Sequence, residues 1–171
     1  MTDKFRLTLA QLNPTVGALE ANAAKARAAW AEGKAAGADM VALPEMFITG
    51  YQTRDLIMKR AFHADATAAL EQLALDCANG PALAIGGPWW DGARLYNAYW
   101  VMERGKVVAR VLKHHLPNDT VFDEVRQFGR DRRLERRHRS ADDRRERRPV
   151  AEPVSGQADE GEFLSIPAKL T

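Results

Sequence analysis

The sequence predicts an α/β protein in which helices cover one face of a layered sheet. Short apolar runs are typical of strands, two segments between them have helical character, and Gly or Pro marks most of the junctions. In chain order these segments give β-α-β-α-β-β-β, which favours a sheet with helices packed on it. The pattern ends at Phe128, so we expect one domain at 1–128 and a different kind of segment at 129–171.

A stretch of alternating apolar and polar residues indicates the first strand, and an alanine-rich stretch after it indicates the first helix. Phe5, Leu7 and Leu9 alternate with polar residues, which predicts a strand with one buried face. The alanine-rich stretch 18–34 then has high helix propensity, and Gly37 follows it as a stop signal. The sequence therefore predicts a strand followed directly by a helix.

The next strand is short and apolar, at 40–43, and Pro44 breaks it. The second helix has apolar side chains at i, i+3, i+4, i+7 and i+8 spacing, which is typical of an amphipathic helix: Ala66, Ala69, Leu70, Leu73, Ala74 and Cys77. Asn79, Gly80 and Pro81 then predict its end.

Three strands complete the predicted sheet. Residues 82–85 are apolar and run into two glycines and a proline, which we expect to end the strand. Residues 96–102 and 107–112 flank a Gly-containing turn at 103–105, which predicts a β-hairpin.

Charge marks the boundary after Phe128. Residues 1–128 hold 14 Lys and Arg against 14 Asp and Glu, whereas residues 129–150 hold ten Arg against five acids. Between 129 and 148 the only aliphatic residues are Leu134 and Ala141, too few to offset an ordering cost on the order of 1–2 kcal/mol per residue. We therefore expect a disordered Arg-rich tail.

Three interpretations of the Arg-rich segment are open. A basic tail can bind nucleic acid, but interleaved acids and the lack of aromatic residues between 129 and 148 do not favour this. A charge-laced surface helix would have no apolar face with which to dock. The third interpretation, which we favour, is coding sequence read out of frame, because GC-rich DNA shifted by one base yields arginine runs.

Composition limits the class of protein. The single cysteine, Cys77, excludes an internal disulfide framework and a multi-cysteine metal site, and we expect neither a metal nor a cofactor. The N-terminus lacks the apolar run of a signal peptide, and no stretch approaches the roughly 20 apolar residues of a membrane span. These features predict a cytoplasmic protein without a membrane partner.

Two charged residues follow predicted strands and are candidates for chemistry. Glu45 comes just after the strand 40–43, and Lys113 comes just after the strand 107–112. Sites in α/β proteins lie at such strand ends, and opposite charges there can share a pocket. The positions of Glu45 and Lys113 after predicted strands are equally compatible with two solvated loop residues that have no role in chemistry.

The residues around Glu45 and Lys113 resemble two motifs of the nitrilase superfamily of carbon-nitrogen hydrolases. The glutamate motif is matched by Leu43, Pro44, Glu45, Met46, Phe47, Thr49, Gly50 and Tyr51. The lysine motif is matched by Lys113, Leu116, Pro117, Asn118, Val121, Phe122, Asp123, Glu124, Arg126 and Phe128. Within the lysine motif, the segment 121–124 is most similar to the corresponding segment in the glutaminase domain of bacterial glutamine-dependent NAD synthetases.

The resemblance implies a fold and roles for residues. The fold would be an incomplete nitrilase-like α-β-β-α sandwich, of which this chain forms only the first half. Glu45 would be the general base, Lys113 would stabilise the oxyanion, and Glu124 would support them. Tyr51 and Phe122 would line the pocket for glutamine or another small amide.

The nucleophile that the resemblance requires is missing from the sequence. In this superfamily a cysteine follows a strand beyond the lysine motif, and this chain has no cysteine after Cys77. Cys77 lies on the apolar stripe of the second predicted helix, where we expect a buried core residue. The sequence also contains no Ser-Gly-Gly pyrophosphate loop of the ATP-using synthetase domain.

We therefore expect a fragment of a glutaminase that supplies ammonia for NAD biosynthesis. Because the nucleophile is missing from the sequence, we expect this fragment to be inactive. The alternatives are another carbon-nitrogen hydrolase acting on a small amide, and a non-catalytic interaction module. Half a sandwich would also leave strand edges and an apolar sheet face uncovered. We accordingly predict marginal stability and possible oligomers through exposed sheet or helix faces.

Overall fold

A computed structural model describes residues 4–117 and 124–129 of the chain. The chain divides into two units, Met1–Glu135 and Arg136–Thr171, and every described residue lies in the first. The predicted tail at 129–171, apart from Gly129, lies outside the described residues, as does Phe122.

The sheet has five strands in the order β1-β2-β3-β4-β5. The first three strands are parallel and the last three are antiparallel. The elements are β1 (Leu7–Leu9), α1 (Leu19–Ala35), β2 (Met40–Ala42), a 3-10 helix (Arg54–Met58), α2 (Arg60–Asp76), β3 (Ala82–Trp90), β4 (Leu95–Glu103), β5 (Lys106–Leu112) and α3 (Glu124–Gln127). The predicted order β-α-β-α-β-β-β is confirmed, and the 3-10 helix and α3 are additional.

Both long helices pack on the same face of the sheet. Their apolar side chains meet fully buried side chains of the central strands, among them Val41, Leu83 and Trp100. Leu70 and Leu73 of α2 are likewise fully buried, and burying such a side chain stabilises the fold by about 1.5–3 kcal/mol. The α/β class with helices on one face is therefore confirmed. None of the described helices is long and apolar enough to span a membrane.

Strand β3 is longer than predicted, because the two glycines and the proline do not end it. It continues to Trp90, and its last part pairs with β4, with Pro88 opposite Asn97. The register with β2 stops at Ala84, so Pro88 has a strand neighbour on one side only. A missing N–H is tolerated at such an edge position, which explains why the strand persists through a proline.

The predicted buried face of β1 is wrong. Phe5, Leu7 and Leu9 are exposed, Leu9 to 69%. Their side chains lie on the sheet face opposite the helices, because α1 packs over the face that carries Thr8, close to Gly33. The alternation identified the strand correctly, but it could not tell which of its two faces is covered.

The exposed apolar side chains of β1 are part of a larger surface. The strand register places Leu7, Leu9 and Val111 on one side of the sheet, and Val111 is 63% exposed. We call this side the open face. The structure thus confirms the prediction that an apolar sheet face is left uncovered.

We expect the 171-residue chain to self-associate through the open face, and Leu9→Lys to reduce this association. A lysine at this exposed position places a charge in the apolar patch without disturbing the core. Sedimentation velocity over a range of protein concentrations measures the effect.

The matched control for this prediction is Leu75→Lys. Leu75 is an exposed leucine on α2, away from the open face. The control is expected to associate like the unmodified chain. A monodisperse monomer with a cooperative thermal transition would contradict the predicted association and the predicted marginal stability.

Candidate active site

Glu45 is carried by a tight turn that crosses β3 at Gly86. The Gly86 N–H donates to the Pro44 carbonyl at 3.2 Å, and the Ile48 N–H donates to the Gly86 carbonyl at 3.2 Å. A Cβ on Gly86 would lie 2.2 Å from the Met46 nitrogen and 2.6 Å from the Glu45 Cα. Only glycine allows the backbone of Glu45 to come this close to the sheet.

Lys113 leaves the end of β5 and reaches Glu45. Its backbone N–H donates to the Asn97 carbonyl at 2.9 Å, which fixes the start of the loop on β4. Its Nζ donates to Glu45 Oε1 at 2.8 Å. The two residues predicted at neighbouring strand ends are therefore a hydrogen-bonded ion pair.

Glu124 is the first residue of α3 and approaches Lys113 from the other side. Its Oε1 and Oε2 lie 3.1 Å and 2.9 Å from Lys113 Nζ. The hydroxyl of Tyr51 donates to Glu124 Oε1 at 2.8 Å. Four of the five predicted site residues thus form one contiguous group, and the fifth, Phe122, lies outside the described residues.

The carbon-nitrogen hydrolase family model matches residues 6–158, which extends beyond Phe128, where the sequence motifs end.

The chain belongs to the carbon-nitrogen hydrolase family.

One relative in this family is the glutamine-dependent NAD(+) synthetase of Rhodobacter capsulatus. It is 66% identical over 128 residues, which cover 75% of this chain and 23% of the relative. A solved glutamine-dependent NAD(+) synthetase from Cytophaga hutchinsonii has a TM-score of 0.70 at 28% identity, covering 74% of this chain and 22% of that chain. The chain is thus homologous to the carbon-nitrogen hydrolase part of these synthetases and spans about a quarter of their length.

An amidase of the nitrilase superfamily from Nesterenkonia AN1 shares the fold. Its structure has a TM-score of 0.64 at 21% identity, covering 74% of this chain and 49% of that chain. At this identity the likeness shows the fold alone. The described part of the chain accordingly corresponds to about half of a carbon-nitrogen hydrolase chain, in agreement with the predicted half-sandwich.

The two carboxylates of the site differ in exposure. The side chain of Glu45 is 45% exposed and that of Lys113 is 28% exposed, whereas the side chain of Glu124 is only 4% exposed. Glu45 and Lys113 are therefore far more open to solvent than Glu124. The two glutamates of the site are thus suited to different tasks.

The charges of the site fix the protonation of Lys113 and Tyr51. Desolvation lowers the pKa of Lys113, but its hydrogen bonds and charge interactions with Glu45 and Glu124 together raise that pKa above its ordinary value. Burial raises the pKa of Tyr51, and the hydrogen bond to Glu124 raises it further. At neutral pH Lys113 is therefore a cation and Tyr51 is a neutral hydrogen-bond donor.

The site lies at the border of the open face. Asn97 is opposite Pro88, and Tyr99, two residues further along β4, is opposite Gly86. Side chains two apart on a strand share a face, so Asn97 lies on the same side as Tyr99 and Val101, and that side is the open face. Asn97 Nδ2 donates to Glu45 Oε1 at 2.6 Å, which places the ion pair at this border.

Sequence reasoning missed Asn97. It is buried, at 3% exposure, in the middle of the otherwise apolar strand β4. A polar amide at a buried strand position requires a hydrogen-bond partner, so an asparagine within such a run was a usable signal.

A cleft of about 370 Å³ lies beside the ion pair. Its lining includes Met46, Tyr51 and Glu124 together with the charged residues Arg54, Asp55 and Arg126. Arg126 donates to Asp55 at 2.6 Å, which ties α3 to the 3-10 helix. The cleft is large enough for a small amide and has Tyr51 in its wall.

Cys77 lies away from the ion pair. It is buried where α2 ends, in the core between the helices and the covered face of the sheet, as predicted. Burial, followed by the charge of Asp76, raises the pKa of the Cys77 thiol to about 11. A protonated, buried thiol on the helix side of the sheet has no path to Glu45 and is a poor nucleophile.

Among the described residues, no group of three or more His, Cys, Asp or Glu side chains is arranged to hold a metal.

Proposed function

We propose that residues 1–128 are the part of a glutamine-hydrolysing carbon-nitrogen hydrolase that supplies the general base and the oxyanion-stabilising cation. The observation that carries this proposal is the bridging position of Lys113 between one open carboxylate, Glu45, and one buried carboxylate, Glu124. A cation held in this way is available to a developing negative charge and does not itself lose a proton.

In the proposed reaction Glu45 accepts the proton of a cysteine thiol, and the thiolate attacks the amide carbon of the substrate. Lys113 stabilises the oxyanion of the tetrahedral intermediate. Glu45 then returns the proton to the leaving nitrogen, which departs as ammonia. Water, deprotonated by Glu45, hydrolyses the thioester and regenerates the thiol.

Glu124 and Tyr51 have supporting roles in this proposal. Glu124 is almost fully buried and paired with Lys113, so its role is to hold Lys113 and offset its charge. Tyr51 holds Glu124 through its hydroxyl and is one of the residues that line the cleft. Together with Phe122, Tyr51 would form part of the amide pocket.

We propose glutamine as the substrate, because the relatives that match most of this chain are glutamine-dependent NAD(+) synthetases. The ammonia would serve a synthetase domain like that of these relatives, which uses ATP. The 171 residues provide no cysteine beyond Cys77, so the nucleophile would have to come from sequence that they do not contain.

The 171-residue chain alone is therefore expected to release no ammonia from glutamine. A coupled ammonia assay on the purified chain, with glutamine and with small amides, measures this directly. Activity that disappears in Cys77→Ala would contradict the proposal, because it would make the buried thiol the nucleophile.

A chimera tests the positive half of the proposal. It joins residues 1–128 to the part of the Rhodobacter capsulatus relative that follows the matched segment. The chimera is expected to release ammonia from glutamine, and Glu45→Gln is expected to lower its kcat by about 100- to 10,000-fold. The matched control is Glu103→Gln, since Glu103 is a partly exposed glutamate paired only with Arg104 among the described residues. Equal activity of the two variants would overturn the role of Glu45.

A further inference from the structure

We propose that Asn97 is the positioning residue that sets the geometry of the Glu45–Lys113 pair, an inference that rests on the function proposed above. Asn97 contacts both partners through different groups. Its side-chain amide donates to Glu45 Oε1 at 2.6 Å, and its backbone carbonyl accepts the N–H of Lys113 at 2.9 Å. One buried residue of β4 thus connects the two chain segments that carry the pair.

The hydrogen bonds at Glu45 are unequally shared between its two oxygens. Oε1 accepts both the Asn97 amide and the Lys113 ammonium, at 2.6 Å and 2.8 Å. No described residue donates to Oε2. Since two donors fix Oε1, the carboxylate cannot rotate freely, and Oε2 remains as the acceptor for the proton of the reacting thiol.

The chemical type of Asn97 matters as well as its position. The side-chain amide of Asn97 donates a hydrogen bond but carries no charge. It therefore orients Glu45 and leaves the ion pair between Glu45 and Lys113 intact. A lysine or arginine at this position would neutralise Glu45, and an aspartate would repel it. A buried leucine would leave Oε1 with Lys113 alone, and the carboxylate could then turn about that single contact.

The position of Asn97 is itself rigidly defined. Its strand pairs on one side with β3, where Pro88 is opposite, and on the other side with β5 up to Leu112, the residue before Lys113. The amide is therefore anchored on a central strand, whereas Glu45 and Lys113 are carried by loops. This arrangement transfers the rigidity of the sheet to two loop residues, as a preorganised site requires.

The contact is tested in the full 171-residue chain by selective ¹⁵N labelling of its five asparagines. A short hydrogen bond to a carboxylate is expected to move one Asn97 side-chain proton downfield. Glu45→Gln is expected to abolish this displacement, while Glu103→Gln leaves it unchanged. The signal of Asn22 is an internal control, because its buried amide donates to the carbonyls of Thr15 and Ile48 and not to a carboxylate. An Asn97 signal that is insensitive to Glu45→Gln would overturn the proposal.

The functional consequence is tested by Asn97→Leu in the chimera. We expect kcat to fall at least tenfold with KM changed less than twofold, because the loss of this donor misorients Glu45 without touching the substrate pocket. Asn97→Ser, which keeps a donor at this position, is expected to recover part of the rate. A fall in kcat accompanied by a rise in KM of similar size, with no recovery in the serine variant, would assign Asn97 a merely structural role. An inactive parent chimera would instead refute the proposed function, and the labelling result would still decide the contact.

Discussion

Lys113→Met in the chimera is expected to lower kcat for glutamine hydrolysis by about 100- to 1000-fold, the usual effect of removing one group that stabilises an oxyanion. The same change is expected to destabilise the fold by about 3 kcal/mol, because Glu124, only 4% exposed, would lose its cation. Lys113 therefore differs from a surface lysine, whose loss would cost almost nothing. Steady-state ammonia release and urea unfolding measure the two effects.

The pH dependence of this destabilisation has a defined sign. The folded-state pKa of Lys113 is raised above its ordinary value of 10.5, so its contribution to stability is fully present below about pH 10.5 and is lost as the pH rises through the folded-state pKa. The difference between Lys113→Met and the parent should consequently be largest near neutral pH and shrink in strong base.

The matched control for this prediction is Lys106→Met. Lys106 is an exposed lysine at the other end of β5. It is expected to change neither rate nor stability measurably. If the two methionine variants unfold at the same urea concentration, Glu124 does not depend on Lys113.

The sequence alone predicted every long element of the fold in the right order, because each has a strong local signal. The helical spacing of Leu70 and Leu73 and the apolar run before Pro44 need no tertiary information. The glycines and proline that follow Ile85 were misleading, since their effect depends on whether a neighbouring strand lies beside them. The covered face of β1 depends likewise on where the helices pack, which alternation does not encode.

The candidate site was predicted less completely than the fold. Glu45, Lys113 and Glu124 were found through motif resemblance, and spacing by itself left the first two as ordinary loop residues. Asn97 was not found, because its contact to Glu45 joins residues 52 apart in the chain and has no local pattern. Gly86 was taken for a strand terminator, although its function is to let the turn of Glu45 approach β3. Contacts between distant segments are what the sequence conceals.

Gly86→Ala tests this last point and is expected to destabilise the chain by about 3 kcal/mol, at the upper end for an overpacked site. The added Cβ would lie 2.2 Å from the Met46 nitrogen and 2.6 Å from the Glu45 carbonyl carbon. Both are backbone atoms, so the clash cannot be relieved by rotating a side chain. The turn must instead move away from β3, which breaks the hydrogen bonds that Gly86 makes with Pro44 and Ile48.

The displacement of this turn would also separate Glu45 from Asn97 and Lys113, so the chimera with Gly86→Ala should lose activity even at temperatures where it remains folded. Circular dichroism and ammonia release on the same samples distinguish the loss of the site from the loss of the fold. Gly105→Ala, in the turn between β4 and β5, is the control, because its Cβ would meet only the Ala78 Cβ, at 3.5 Å, while its positive φ strains the backbone away from Glu45. It is expected to lose some stability but to keep full activity while it is folded. Wild-type activity in Gly86→Ala would mean that Glu45 does not need the close crossing of β3, and the base would then have to be held by its side-chain contacts to Asn97 and Lys113 alone.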